Sequence, residues 1–256
     1  MNNAMMKRNH EKTSGISVIA FDLNETLVGW REAFDESFKA AVGDWLGRWS
    51  EDEKAELVAE ALKRYHRQRI QWAKKKRASP AALSSQRSVW IKEAIKDFPL
   101  PQSETAAESL IRQILRSQPS YARISDETAK ALSALAKSYR LAIISDTNRD
   151  TALRITAASG LKRFFPESRI FTPAAGGRRK PHASRFAAVA RALKTPPSRC
   201  AMVGDSWRRD VSGAVKAGWH AVWMKPGAKK PASRRIVSGK PVIQIGSIAE
   251  LPNVLR

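Results

Sequence analysis

The chain has 256 residues, 43% of them hydrophobic, and sets 46 Lys and Arg against 24 Asp and Glu for a net charge of +22 at pH 7. That length suffices for one large α/β domain or two smaller ones, and no apolar run approaches the roughly 20 residues that cross a bilayer. Met1 to Gly15 is polar, lacks the apolar segment of a secretory leader and reads as a disordered lead-in, while a single cysteine, Cys200, excludes an internal disulfide and fits a reducing cytoplasm.

In chain order, the first strong signal is Val18-Ile19-Ala20-Phe21, an apolar run of strand length that delivers the carboxylate Asp22 where the strand gives out. Leu23-Asn24-Glu25-Thr26-Leu27-Val28 follows, an amide, an acid and a hydroxyl between apolar residues. From about Trp30 to Ser117 the pattern is helical, rich in Ala, Leu, Lys, Arg and Glu with apolar residues at three- and four-residue spacing. Ser50-Glu51-Asp52-Glu53 is a capping box leading into Leu57, Val58, Ala61, Leu62 and Tyr65 on one face. Ser79-Pro80 and Phe98-Pro99-Leu100-Pro101 punctuate the region into several helices. Trp30, Trp45, Trp49, Trp72 and Trp90 fall within it and read as packing residues.

From Ser125 strands and helices alternate. Ser125 with Asp126 and Glu127 is an N-cap followed by first-turn acids, opening a helix with Leu132, Leu135 and Ala136 on a face. Leu141-Ala142-Ile143-Ile144 is a buried strand ending at Ser145-Asp146-Thr147-Asn148, and the next helix stops at Gly160. Arg169-Ile170-Phe171-Thr172 is a third strand. After a Gly-Gly loop, Pro181 suits the first turn of a helix carrying Phe186, Val189, Ala190 and Leu193. Cys200 to Gly204 is a fourth strand, ending at Asp205, and a helix over Val211, Ala214 and Val215 leads to the strand Ala221–Met224. Lys225 to Lys240 reads as a Pro/Gly/basic loop, and Val242–Ile245 with a short helix closes the chain. Such alternation implies a doubly wound parallel sheet.

Four strand ends in this order carry polar chemistry: Asp22, Ser145, Lys180, and Asp205 with Asp210. Taken singly each has a plain explanation, since a strand-end Ser or Asp caps a turn and Lys-Pro is a turn. Together they converge on the carboxyl edge of one sheet, where ligands bind in folds of this kind. Asp22 is a carboxylate nucleophile. Asp22, Asp205 and a backbone carbonyl near Asn24 are hard oxygen ligands of the kind Mg²⁺ takes, leaving room for a substrate phosphate. Ser145 can donate to a phosphoryl oxygen, and Lys180 can hold that oxygen and orient Asp22. Asp210, about one helical turn beyond Asp205, supports the metal set from behind or anchors Lys180.

Phe21-Asp22-Leu23-Asn24-Glu25-Thr26-Leu27, Ile144-Ser145-Asp146, Lys180-Pro181 and Val203-Gly204-Asp205-Ser206-Trp207-Arg208-Arg209-Asp210 resemble, in order and spacing, the four motifs of the haloacid dehalogenase (HAD) superfamily of hydrolases. The resemblance implies a Rossmann-like core over residues 16–29 and 119–256 and a helical cap over residues 30–118. It implies a Mg²⁺-dependent phosphatase acting on a small phosphorylated substrate. The catalytic set would be Asp22, Asn24, Ser145 and Lys180, and the metal set Asp22, Asn24, Asp205 and Asp210.

Two positions depart from the pattern. Most phosphatase members carry a second Asp as general acid and base where this chain has Asn24, and an amide can neither protonate a leaving group nor deprotonate water at neutral pH. Asp146 stands where Asn is common, adding negative charge near the phosphate subsite unless it points away as a helix cap. Two further readings follow. Dehalogenation would use Asp22 to displace halide at carbon. A binding protein on the same scaffold would use basic surface, such as the acid-free Lys63 to Arg77 or Lys162 to Arg199 with Glu167 as its one acid, to hold nucleic acid or another polyanion. The same stretches also read as plain solvated faces.

Overall fold

The structure, a computed structural model, describes residues 15–47, 49–75, 80–98, 103–227 and 233–255. The expected disordered lead-in, apart from Gly15, and the punctuation at Ser79 and at Pro99-Leu100-Pro101 lie outside the described residues. The chain divides into two compact units, Met1–Trp30 with Arg123–Arg256, and Arg31–Ala122. Among the described residues no helix is long and apolar enough to cross a membrane.

The first unit is built on a seven-stranded sheet in the order β3-β2-β1-β4-β5-β7-β6. Its strands are β1 (Val18–Phe21), β2 (Arg140–Ile144), β3 (Ile170–Phe171), β4 (Cys200–Gly204), β5 (His220–Met224), β6 (Ser233–Val237) and β7 (Lys240–Ile245). β1 is central because Val-Ile-Ala-Phe is apolar on both faces, and all four residues are buried. It pairs in parallel with β2 on one side and β4 on the other, with Phe21 level with Ile143 and Val203. Chain order thus reverses between β1 and β4, the switch point where a crevice opens at the strand ends. Under the sheet, Phe186, Val189, Val211, Ala214 and Trp219 pack on Val18, Ala20, Cys200 and Met202.

Helices cover the sheet where their caps predict. α5 (Asp126–Leu135) starts at Ser125, whose Oγ accepts from Thr128 N at 3.2 Å. α6 (Arg149–Ala158) starts at Asn148, and the left-handed Gly160, φ 74°, follows its end.

The second unit contains α1 (Trp30–Trp45, from its second residue onward), α2 (Glu51–Lys75), α3 (Pro80–Ile95) and α4 (Glu104–Ser117), followed by a 3₁₀ turn at Gln118–Tyr121. The capping box at the start of α2 is formed: Ser50 N donates to Glu53 Oε2 at 3.1 Å and Glu53 N to Ser50 Oγ at 3.3 Å. Val58, Ala61 and Tyr65 from its expected face are buried against Phe34, Phe38, Trp90, Ile91, Leu110 and Ile114. Phe34 stacks on Tyr65 with ring centroids 4.8 Å apart, a pairing that adds about 1 kcal/mol beyond area burial. Trp45, Trp49 and Trp72 lie partly buried against the same cluster and Trp90 is within it.

Two expectations are corrected. Pro181 does not sit in the first turn of a helix: α7 (Ala183–Ala192) begins after His182, whose ring nitrogen takes the capping role. The backbone at Lys180 is engaged elsewhere, donating to Asp146, so the chain stays unwound there. The segment from Lys225 to Lys240 is not a loop throughout, because Ser233–Val237 forms β6, antiparallel to β7. Ser238-Gly239 makes the turn with φ of 48° and 73°, the paired left-handed geometry that suits a two-residue hairpin. The middle of that segment, residues 228–232, lies outside the described residues.

Cys200 is fully buried in β4, and burial pushes its thiol up to about 11. At pH 8 only about one thiol in a thousand would then be ionised. Ellman's reagent should leave the native protein unmodified over minutes and titrate one thiol in guanidinium; rapid stoichiometric reaction of the native protein would contradict this packing.

Candidate active site

Asp22, Ser145 and Asp205 leave the sheet at the neighbouring ends of β1, β2 and β4, and each is fixed by its own backbone. Asp22 N donates to Val203 O at 2.8 Å and Ser145 N to Phe171 O at 3.0 Å. After Asp22 the chain folds back on itself, with Leu27 N and Val28 N both donating to Leu23 O and Glu25 left-handed at φ 63°. This turn places Thr26 Oγ1 3.0 Å from Asp205 N, as acceptor, and so ties the first strand end to the fourth.

Lys180 draws the acids together. Its Nζ lies 2.6 Å from Asp22 Oδ1 and 2.7 Å from Asp210 Oδ1, and all three side chains are buried. Burial is the largest single influence on the ammonium and pulls its pKa down, but the charges of Asp22 and Asp210 and their hydrogen bonds outweigh it, and the net shift is upward. For Asp210, burial dominates and pushes the carboxyl up to about 6, against the pull of Lys180 and with a further push from Asp22. Asp210 spends its other oxygen on Ser206 N at 3.0 Å. Its approach to the strand end requires Gly204, where an added Cβ would sit 2.4 Å from Asp210 Cγ.

One oxygen from each of Asp22, Asp205 and Asp210 lies within 4.8 Å of the others. Asp205 Oδ1 is buried with no hydrogen-bond partner. Burial above all, and then the charge of Asp22, raises the Asp205 carboxyl, with Arg209 and Lys180 opposing. Three acids facing one ammonium, with an orphaned carboxylate oxygen among them, fit a hard divalent cation such as Mg²⁺. Asp22 and Asp205 are the residues that would hold it. Both Asp210 oxygens are engaged by protein donors, which suits a residue that anchors Lys180.

A model of the haloacid dehalogenase-like hydrolase family matches residues 16–218. The chain belongs to that family. Its HAD fold is shared with YfnB of Bacillus subtilis, described as a HAD-hydrolase and solved bound to magnesium: 20% identity, TM-score 0.65, covering 94% of this chain and 99% of that one. It is shared also with 2-haloacid dehalogenase from Pseudomonas syringae pv. Tomato DC3000, at 24% identity and TM-score 0.56, covering 94% and 98%. Among curated proteins the chain is similar to N-acylneuraminate-9-phosphatase of Mus musculus, 28% identical over 137 residues. That alignment spans 52% of each chain, so this chain covers about half the length of that relative.

Within this HAD core the expected residues fall into one group and a neighbour. Asp22, Lys180, Asp205 and Asp210 form the group. Asn24 is held to the second strand end instead, its Nδ2 donating to Thr147 Oγ1 at 3.0 Å, while its Oδ1 is buried and unpartnered. Ser145 Oγ accepts from Thr147 N at 3.1 Å, leaving the hydroxyl proton free to be given. Asp146 does not cap α6, a role Asn148 takes; its Oδ1 accepts from Lys180 N at 3.1 Å. Sequence reasoning missed Thr26, Thr147 and Trp223, whose Nε1 donates to Asp205 O at 3.0 Å. The two threonines lie inside the quoted motifs or directly beside them, and that proximity was the available signal. Nothing local marked Trp223.

Replacing Gly204 by Ala forces a methyl into Asp210 and should destabilise the fold by about 1–3 kcal/mol in urea; an unchanged midpoint would contradict the close approach. Asp210 holds its proton more tightly in the fold than its ordinary value of 3.8 allows. It therefore contributes stability at low pH that is lost as pH rises from about 4 to about 6. With chelator present, urea midpoints between pH 4.5 and 7 should fall more in the native sequence than in Asp210→Asn. Equal falls would refute the assignment.

Proposed function

We propose that this HAD hydrolase is a Mg²⁺-dependent phosphatase that passes the phosphoryl group through Asp22. The supporting observation is the Lys180 ammonium held between Asp22 and Asp210, beside the orphaned Asp205 oxygen. Lys180 fixes one oxygen of Asp22, and the other attacks phosphorus. The phosphorus–oxygen bond to the leaving group breaks, and its electron pair departs on that oxygen. Ser145 donates to a phosphoryl oxygen, and Lys180 balances the charge that gathers there. Water then attacks the aspartyl-phosphate, inorganic phosphate leaves, and Asp22 is restored. A bound Mg²⁺, held by Asp22, Asp205 and a backbone carbonyl near Asn24, would neutralise the repulsion between carboxylate and phosphate.

Asn24 shapes the substrate range. Its amide has no proton to transfer, so the leaving group departs unaided. Substrates whose leaving groups are stable as anions, such as acyl phosphates, lose least. The similarity to a curated phosphatase supports the same reading. We take the helical unit Arg31–Ala122 to be the substrate-selecting cap, and the net charge of +22 to speed the approach of anionic substrates.

A screen of small phosphorylated compounds tests the reading. Turnover should need Mg²⁺, stop with EDTA and vanish in Asp22→Asn. Asn24→Asp should raise kcat on alkyl and aryl phosphates by about 10²-fold or more. Phosphate release by Asp22→Asn at the native rate would overturn the nucleophile. Halide release from a 2-haloacid in EDTA, without phosphate turnover, would favour dehalogenation instead.

A further inference from the structure

Trp207 is out of keeping with the other aromatic residues. Among the described residues it is the one Phe, Tyr or Trp side chain that is exposed. It stands two residues beyond Asp205, at the head of a π-helical turn, Trp207–Val211, a geometry that recurs at functional sites. The turn is fixed from within, because Arg209 N donates to Ser206 Oγ at 3.3 Å and Asp210 N to Ser206 O at 2.8 Å. The exposed indole is therefore held in place at the strand end.

Trp223 supports it from the neighbouring strand. It lies level with Gly204 in the β4–β5 pairing, and its Nε1 donates to Asp205 O at 3.0 Å. The Trp207 and Trp223 rings meet edge to face, with centroids 5.0 Å and planes 71° apart. Lys225 Nζ lies 5.2 Å from the centre of the Trp223 ring, and Arg208 is exposed beside Trp207. Between Asp210 and Glu250 the sequence has no acid. The result is an aromatic surface in a positive setting, next to a carboxylate suited to a metal. That combination fits a flat ring that arrives with negative charge, since the ring stacks on indole and the cations offset the charge.

We propose that Trp207, backed by Trp223, is a stacking subsite for the aromatic group of a phosphate monoester of the nucleoside monophosphate class. The inference rests on the phosphoryl-transfer reading, which puts the phosphate at Asp22. Two residues of chain reach at most about 7 Å, a span comparable to that between the phosphorus and the base of such an ester. Trp207 touches no reacting atom in this account and selects substrate through the ring alone.

Calorimetric titration of the full chain with Mg²⁺ compares adenosine 5′-monophosphate with ribose 5-phosphate, which lacks the base. Both are alkyl phosphates, whose turnover Asn24 slows, so binding is read ahead of hydrolysis. The nucleotide should bind about tenfold tighter or more. Trp207→Ala should erase that advantage while leaving ribose 5-phosphate within about twofold of its native affinity. Trp207→Phe, which keeps a ring, should retain most of the advantage. Thermal melts establish that each variant is folded. Equal affinities for the two ligands, an advantage that survives Trp207→Ala, or an equal loss for both ligands in that variant would overturn the inference, as would no binding of the nucleotide. A single-stranded oligonucleotide without terminal phosphates is titrated in parallel. Its binding through Trp207, with no preference for the nucleotide over ribose 5-phosphate, would assign the ring to nucleic acid and also overturn the inference. Turnover of acetyl phosphate by the native chain, measured alongside, decides the phosphatase reading on its own.

Discussion

The Lys180 ammonium is wholly enclosed, 2.6 Å from Asp22 and 2.7 Å from Asp210. A lone ammonium or a lone carboxylate at that depth would shed its charge, because desolvation of an ion costs several kcal/mol even after relaxation. Lys180 keeps its charge because two carboxylates surround it, and the ammonium in turn holds the Asp210 carboxyl below where burial and the charge of Asp22 would otherwise push it. Removing Lys180 would leave two acids facing each other in a dry site, and removing Asp210 would leave Lys180 to Asp22 alone. The surrounding construction serves to hold these three side chains in register.

That requirement explains features that otherwise look unrelated. Gly204 has no side chain because Asp210 packs against its α-carbon. Ser206 turns its backbone N–H to Asp210, and Thr26 and Trp223 take hold of Asp205 from opposite ends of its peptide unit. Asp146 grips the Lys180 backbone while Asp22 grips its side chain. The parallel order β2-β1-β4 supplies the starting geometry, since three adjacent strand ends deliver Ser145, Asp22 and Asp205 side by side.

Much of this was legible in the sequence because strand ends punctuate clearly. Asp22, Ser145 and Asp205 each follow an apolar run, and the caps at Ser50, Ser125 and Gly160 mark helix limits through local chemistry. The hairpin at β6 was harder: Ser-Arg-Arg-Ile-Val has weak alternation and a charged surround, and only its pairing with β7 makes it a strand. Pro181 was misplaced because its fit to a first helical turn is a local signal, whereas a contact 34 residues away holds the preceding backbone. The roles of Thr26, Thr147 and Trp223 are long-range in the same sense, and no spacing rule reaches them.

Asn24 remains the most informative residue outside the buried triad. Its amide is tied to Thr147, so it is a fixed part of the loop, and in the proposed reaction it would separate binding of a phosphoryl group from proton transfer to the leaving group. Whether Asp22 takes up phosphate is therefore the central point, ahead of how fast it turns over. Acid-quenching the enzyme with acetyl phosphate and Mg²⁺, reducing the trapped acyl phosphate with borohydride and mapping the product by mass spectrometry measures this directly. The account predicts conversion at Asp22 alone, abolished by hydroxylamine before reduction; an enzyme that releases phosphate with no modification at Asp22, or with modification at another carboxylate, would contradict it.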